Sequence, residues 1–360
     1  MLRANDLFWS VISFIETRLL AQGRMFVGFE SRLSGVQLLL SVLIAGAAWK
    51  LVIARSDRFD LRAFLSYLFP RTIYRSRSCA VDLKIFLANA LLSPARRLMF
   101  GLSVGSGATL VSSALERSFA QPVRADAGFW VIVPIAIAVF LISDFSTYVA
   151  HRLCHEVKPL WAFHRVHHSA EVMTPLTVMR KHPVSDLFGS LVRIIFLAPL
   201  WGVIIFFWKP SAGPLIVTIL TIGNGMFATF AGNLRHSHVW ISYGRVLERV
   251  FVSPAMHQIH HSTAEEHWNR NYGEIFALWD FLFGTICLSG RHKVLKFGLA
   301  GDLELHRNWR EAMIEPFIYL WKNFQRERSN AAARASLSLT SHHRDDLQNG
   351  RGDYYAQTLV

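Results

Sequence analysis

The chain has 360 residues, 52% of them hydrophobic and 18% charged, with a formal net charge of +13. Soluble domains carry about 25% charged residues, so the composition argues against an ordinary soluble protein and for lipid as the solvent. The basic residues sit beside apolar spans, as on the cytoplasmic side of membrane proteins, and no nucleic-acid motif accompanies them. Anionic lipid headgroups, not nucleic acid, are therefore the expected partners of the charge.

Residues 7–22 are moderately apolar and amphipathic and read equally as an interfacial helix or a short span. Asp6, Glu16 and Arg18 interrupt this stretch, so no cleavable signal peptide is expected. Residues 34–54 predict a membrane helix with Lys50 near its end. A basic block follows, from Arg55 through Arg58, Arg62, Arg71, Arg75 and Arg77 to Lys84, and is expected to be cytoplasmic. The tract 85–115 is broken at Ser93-Pro94, which predicts a short helix and then a span over roughly 98–115. Residues 129–149 return across the membrane, with Pro134 tolerated. Residues 187–207 and 214–232 predict a membrane hairpin, and the chain after about 325 reads as a disordered polar tail.

The fold class expected is an all-α integral membrane protein, with about four to five transmembrane helices beneath a cytoplasmic helical cap. Four regions follow: an N-terminal membrane region (1–128), a catalytic domain (129–290), a C-terminal helical segment (291–324) and the tail (325–360). Counting spans places both histidine-rich regions, 150–185 and 233–322, on the side of the basic block. The three cysteines, Cys79, Cys154 and Cys287, are too few and too far apart for a disulfide framework.

Eight of the 16 histidines fall in three short motifs. His151 and His155 form H-x3-H, His164, His167 and His168 form H-x2-H-H, and His257, His260 and His261 repeat it. On a helix, positions i, i+3 and i+4 share one face, so each motif aims its imidazoles at one point. Imidazole binds iron, zinc, copper and nickel. Eight convergent imidazoles exceed the need of one ion, which favours two. Zinc without redox chemistry is the alternative, but a catalytic zinc commonly has three protein ligands and often an H-E-x-x-H partner glutamate, absent here.

Further elements surround these motifs: Asp144-x3-Tyr148 before His151, and Leu160-Trp161 before His164. Then come Arg180-x-His182-Pro183, Asn233-x2-His236-Ser237, Asn271-Tyr272-Gly273, and Trp279-Asp280-x2-Phe283-Gly284-Thr285. Over residues 129–290 this set resembles the fatty acid hydroxylase / sterol desaturase superfamily of membrane di-iron oxygenases. The resemblance implies two iron ions held by the eight motif histidines and by a ninth, matched here by His236. It implies dioxygen as co-substrate and a separate electron donor, a reductase chain or a reduced pterin. The reaction implied is hydroxylation or desaturation of a lipid C–H bond, in a sterol, fatty acyl or glyceryl ether. The setting is a multi-pass protein of a bacterial inner membrane or the endoplasmic reticulum, with the site on the cytoplasmic face. His182, His238 and Asn233 are expected around the ligands rather than among them. Glu156, directly after His155, resembles a glutamate that matters in the alkylglycerol monooxygenase branch; a solvated helix-end carboxylate is the other reading. Asp144 lies inside an apolar span, where a carboxylate is a functional candidate, and is expected to accept the second ring N–H of a ligand histidine. The aromatic residues Trp161, Phe163, Trp240, Trp268, Trp279 and Phe281 read mainly as interfacial belt or core. His267, His292, His306, His342 and His343 match no motif and are expected at the surface.

Overall fold

The computed structural model describes residues 32, 34–54, 59–100, 103–119, 126–208, 212–291, 293–299 and 306–348. The expectations for 7–22, and for Arg18, Arg55 and Arg58, lie outside them. Regular structure among the described residues is helical, with only isolated bridges such as Phe251 with Phe276.

Helix α1, Gly35–Ala48, continues as a π-helical stretch to Ala54. Ser34 caps its start, with the hydroxyl accepting from the Gln37 N–H at 3.3 Å. α2, Leu61–Leu68, is capped by Asp60. It buries Phe64 and Leu68 against Ala45 and Trp49 of the first helix while Leu61 and Leu65 stay exposed. α3 spans Arg77–Phe100 and α4 spans Val104–Ser118. The interruption thus falls after Phe100, where the sequence reading places it at Ser93-Pro94. A proline removes one helical hydrogen bond, which a long helix absorbs. Ser103 and Ser106 cap each other reciprocally and give α4 a defined start.

α5 is the longest element of the domain, Phe129–Glu156, with 28 residues. At 1.5 Å per residue it is about 42 Å long, against about 30 Å of hydrocarbon. When its apolar part crosses the bilayer, its last turns stand clear of it. α6, Lys158–His168, follows after a single-residue break at Val157. α7, Pro183–Phe207, and α8, Ala212–Phe227 with a π turn to Gly232, are the two apolar helices expected from sequence, and each packs on α5.

Among the described residues, three helices are long and apolar enough to cross a membrane: Phe129–Glu156, Pro183–Phe207 and Gly213–Gly232, with a shorter apolar helix at Gly35–Leu51. The 98–115 span is not among them; α4 has 15 residues. The three pack through Ile132, Ala136, Val139, Leu197, Ile204 and Ile216. Small residues bring α4 onto α7. A methyl group at Gly107 would meet the Ala198 Cβ at 2.7 Å, and one at Gly202 would meet the Val111 Cβ at 2.5 Å. Polar side chains add specific contacts: Gln37 donates to the Gly225 carbonyl at 3.1 Å and accepts from the Thr229 hydroxyl at 3.0 Å.

The chain divides into two compact units, Met1–Ala312 and Met313–Val360. The described residues of the second belong to the last helix, Trp309–Gln348, from Met313 on. Ile314, Phe317, Ile318 and Trp321 are exposed along one of its faces. The stretch 325–348, expected to be disordered, continues this helix. Ala331, Ala332, Ala333, Ala335 and the surrounding Arg and Leu residues have high helix propensity and need no apolar face to favour it.

Candidate metal centre

Four segments deliver the histidines. The end of α5 carries His151 and His155 one turn apart, beyond the apolar part of the helix. α6 carries His164, His167 and His168 in its last turns. The chain leaving the π turn after α8 carries His236. α9, Pro254–His260, begins at Ser253, whose hydroxyl accepts from the Met256 N–H at 3.2 Å, and carries His257 and His260, with His261 at its end.

All nine expected ligands come together, and they separate into two groups. His151, His155, His164, His168 and His260 form one; His167, His236, His257 and His261 form the other. Within each group the available nitrogens lie within 4.8 Å of one another. In the second, the Nε2 of His257 lies 2.9 Å from that of His236 and 3.1 Å from that of His261. The Nε2 of His167 lies 3.3 Å from that of His236. In the first, the Nε2 atoms of His155, His164, His168 and His260 are buried with no hydrogen-bond partner. Buried polar atoms are almost always paired. A crowd of inward-facing ring nitrogens is what a metal ion resolves, because each lone pair then has a cation to meet.

The protonation states agree. Burial holds the imidazoles of His164, His167, His168, His236, His257, His260 and His261 well below their usual pKa, and the crowding of imidazoles against one another pushes the same way. Neutral imidazole is the form that binds metal. The tautomer is set from outside. His151 Nδ1 faces the Tyr272 carbonyl at 2.8 Å and His260 Nδ1 faces the Arg270 carbonyl at 2.8 Å. Donation from Nδ1 leaves Nε2 turned inward.

Asp144 does not play the part expected of it. Its carboxylate accepts from the backbone N–H of Ile275 (3.0 Å) and Phe276 (3.2 Å) and from Trp279 Nε1 (2.8 Å), and touches no ligand histidine. It anchors the loop whose carbonyls orient His151 and His260, one step further out. Asn233 likewise donates to the Arg32 carbonyl and the Ser41 hydroxyl. Glu156 pairs with Arg152 one turn back at 2.9 Å, both partly exposed. His182 caps α7, with Nδ1 accepting from the Val184 N–H at 3.1 Å, and lies beside the Phe163 ring. His238 faces the Tyr67 carbonyl at 2.8 Å and belongs to neither group. His267 and His306 are buried, not at the surface. Residue 292 lies outside the described residues.

Three positioning residues carry more than their motifs suggest. Arg180 is buried and donates to the Val166 carbonyl and the Ser169 hydroxyl at the end of α6, while pairing with buried Asp82 at 2.9 Å. Asp280 accepts from the N–H of Tyr272 and Gly273 and from Thr285 Oγ1. Glu248, with no motif around it, accepts from Ser242, Ser253 and Ser289 and so steadies the start of α9. An acidic residue in an amphipathic stretch gives no sequence signal of such burial.

Cavities open on two sides of the histidines. One of about 330 Å³ reaches His151, His164, His167, His236 and His257 and is bounded by α5 and α7. Another of about 310 Å³ reaches His155, His168, His260 and His261, with Trp161 and Trp268 in its wall. Trp161 stands with its ring centroid 5.1 Å from that of His155 and 5.4 Å from that of His168, closer to the ligands than a belt residue would be.

Residues 136–285 match the family model "Fatty acid hydroxylase". An ornithine lipid hydroxylase of Rhizobium tropici is 31% identical over 191 residues, covering 51% of each chain. An alkylglycerol monooxygenase of Danio rerio is 29% identical over 51% of this chain and 37% of its own length. A Delta(7)-sterol 5(6)-desaturase of Candida glabrata is 28% identical over 43% of this chain and 36% of its own. The chain thus spans about half the length, or less, of these relatives. No solved structure matches. Through residues 136–285, which include the nine grouped histidines, the chain is similar to the fatty acid hydroxylase / sterol desaturase superfamily.

Proposed function

We propose that this protein is a multi-pass membrane oxygenase that hydroxylates or desaturates a C–H bond of a membrane lipid. Two iron ions would occupy the two histidine groups, with dioxygen as co-substrate and electrons from a separate reductase chain or reduced pterin. The observation that carries this reading is the division of nine imidazoles, from four separate segments, into a group of five and a group of four. Tetrahedral zinc sites use at most four protein ligands, so the five-membered group favours iron over zinc. The relatives named as hydroxylase, monooxygenase and desaturase support oxidation of a lipid.

Bound iron would supply the activation of dioxygen and the oxidation of an unactivated carbon. The chain's own residues supply the geometry. Tyr272 and Arg270 fix the rings of His151 and His260, Arg180 fixes the end of α6, and Glu248 fixes the start of α9. Burial of the imidazoles keeps bulk water from the reacting centre. The cavity beside α5 and α7 admits substrate from the level of the membrane. The proposed topology has about four to five spans, with the histidine-bearing cap on the cytoplasmic side of a bacterial inner membrane or the endoplasmic reticulum.

The test is metal per chain by elemental analysis, after expression with supplemental iron and purification in mild detergent. Wild type should hold two irons. His260→Ala removes a ligand of the first group and His167→Ala one of the second, and each should lose iron. One zinc that survives both substitutions, with no iron under any loading, would sink the reading.

A further inference from the structure

A second cavity of about 290 Å³ adjoins the one beside the histidines. The two share Arg32, Thr147, Arg193 and Glu274 in their walls. One stripe of α7 runs along both. Asp186, Gly189, Ser190 and Arg193 line the first; Arg193, Leu197 and Trp201 line the second. The spacing of three and four residues puts them on one helix face. That face changes from polar to apolar at Arg193. On the opposite wall, α5, Thr147, Ala150 and His151 line the first cavity, and Val139, Phe140, Ser143 and Asp144 the second.

Arg193 is the anomaly in this stripe. It lies inside a helix apolar enough to cross a membrane, where a charged side chain is costly and marks a functional site by default. Arg32 and Arg235 share Glu274, with Arg32 in direct contact and Arg235 at 3.6 Å. Arg193 has no ion-pair or hydrogen-bond partner for its side chain among the described residues, and neither has Lys181 on the rim of the first cavity. The first cavity is thus lined by four cations, Arg32, Lys181, Arg193 and Arg235, against two carboxylates, Asp186 and Glu274, and an anion fits it. The second is mixed: Asp144 and Asn224 line it, and a hydrocarbon chain fits only the apolar strip that Leu197 and Trp201 form opposite Val139 and Phe140.

The geometry points to Arg193 as the anchor for an anionic oxygen, of a phosphate or a carboxylate, in the headgroup of the lipid substrate. The substrate's chain lies along Leu197 and Trp201, and its headgroup lies beside the histidines. The carbon offered to the metal centre is then close to the headgroup rather than far along the chain. This rests on the lipid-oxygenase reading for the substrate's identity as a lipid, but the anchor is testable by binding alone.

The experiment uses the full chain in neutral detergent, loaded with iron, and native mass spectrometry to follow lipid binding. The probes are dioleoyl phosphatidic acid, dioleoylglycerol with the same chains and no phosphate, and inorganic phosphate. Wild type should prefer phosphatidic acid over dioleoylglycerol by at least about tenfold, the scale of a hydrogen bond to a charged group. Arg193→Gln should abolish most of that preference while binding dioleoylglycerol as before. Arg193→Lys should keep part of it. Arg245→Gln, an exposed cation outside both cavities, should change nothing. Full preference in Arg193→Gln, or an equal loss in Arg245→Gln, overturns the anchor. Inorganic phosphate binding as tightly as the lipid would assign the site to a free anion and overturn the headgroup assignment. Iron content, measured on the same samples, reports separately on the oxygenase reading: an Arg193-dependent preference in a chain that takes no iron would sink that reading and leave the anchor standing.

Discussion

The carbonyl oxygen of Tyr272 lies 2.8 Å from Nδ1 of His151, although 121 residues separate them in the chain. The neighbouring carbonyl of Arg270 does the same for His260. A single loop thus orients two histidines of the five-membered group. Asp280 holds that loop through the N–H groups of Tyr272 and Gly273, each at 2.8 Å, and through the Thr285 hydroxyl at 2.6 Å. Gly273 permits the tight fold, since a methyl group there would meet the Phe276 carbonyl at 2.6 Å.

Loosening this loop should reach the metal without touching a ligand. Asp280→Ala should weaken metal retention by roughly 10–100-fold, the usual cost of losing such an outer partner. Asp280→Asn keeps one acceptor oxygen and should fall between. Competition with a chelator measures it. Retention equal to wild type in Asp280→Ala would show that the loop does not set the rings.

Arg180 and Asp82 form a buried ion pair, 1% and 0% exposed. Removing one partner strands the other charge, at a cost of about 3–5 kcal/mol. Arg180→Met or Asp82→Leu should each destabilise the chain by that order in detergent-unfolding titrations. The double substitution should be less harmful than the sum, because no charge is left behind. Additive losses would mean that the two act separately.

The α4–α7 contact depends on absent side chains. Gly202→Val would place its Cβ about where Val111 already stands and should cost about 1–3 kcal/mol by overpacking. Gly189, on the same helix, has open space around its missing Cβ. Gly189→Ala should be neutral or slightly stabilising, since alanine favours helix. Comparing their melting temperatures separates a packing effect from a general intolerance of α7 to substitution.

The eight motif histidines are legible in sequence because helical spacing of three and four residues carries geometric meaning; the ninth, His236, has no such spacing and is reached only through the resemblance. The division of the nine into five and four is not legible: His167 and His168 are adjacent in the chain yet serve different groups. That depends on how α6 meets α9, a tertiary fact. The role of Asp144 is hidden from the sequence for a related reason. A buried carboxylate in a span signals importance, but its partners come from residues 275–279, more than 130 positions away. The apolar helices α7 and α8 are plain from hydropathy, while the start of α4 depends on a serine pair that hydropathy does not register.

Glu274 gives a prediction in pH. Arg32 and Arg235 beside it outweigh its partial burial and push its pKa down from 4.5 to about 2. A carboxylate with a depressed pKa binds its proton less readily in the folded state than in the unfolded chain. Its contribution to stability is therefore complete above about pH 4.5 and drains away as pH falls toward 2. Glu274→Gln removes that contribution at every pH. The difference in melting temperature between wild type and Glu274→Gln should be constant from neutral pH down to about 5 and shrink steadily below it. Subtracting the variant cancels the acid sensitivity that the two proteins share. A difference that grows on acidification would reverse the sign and place a group with a raised pKa at this position. A difference already gone at pH 5 would mean that the two arginines do not hold Glu274 in its charged form.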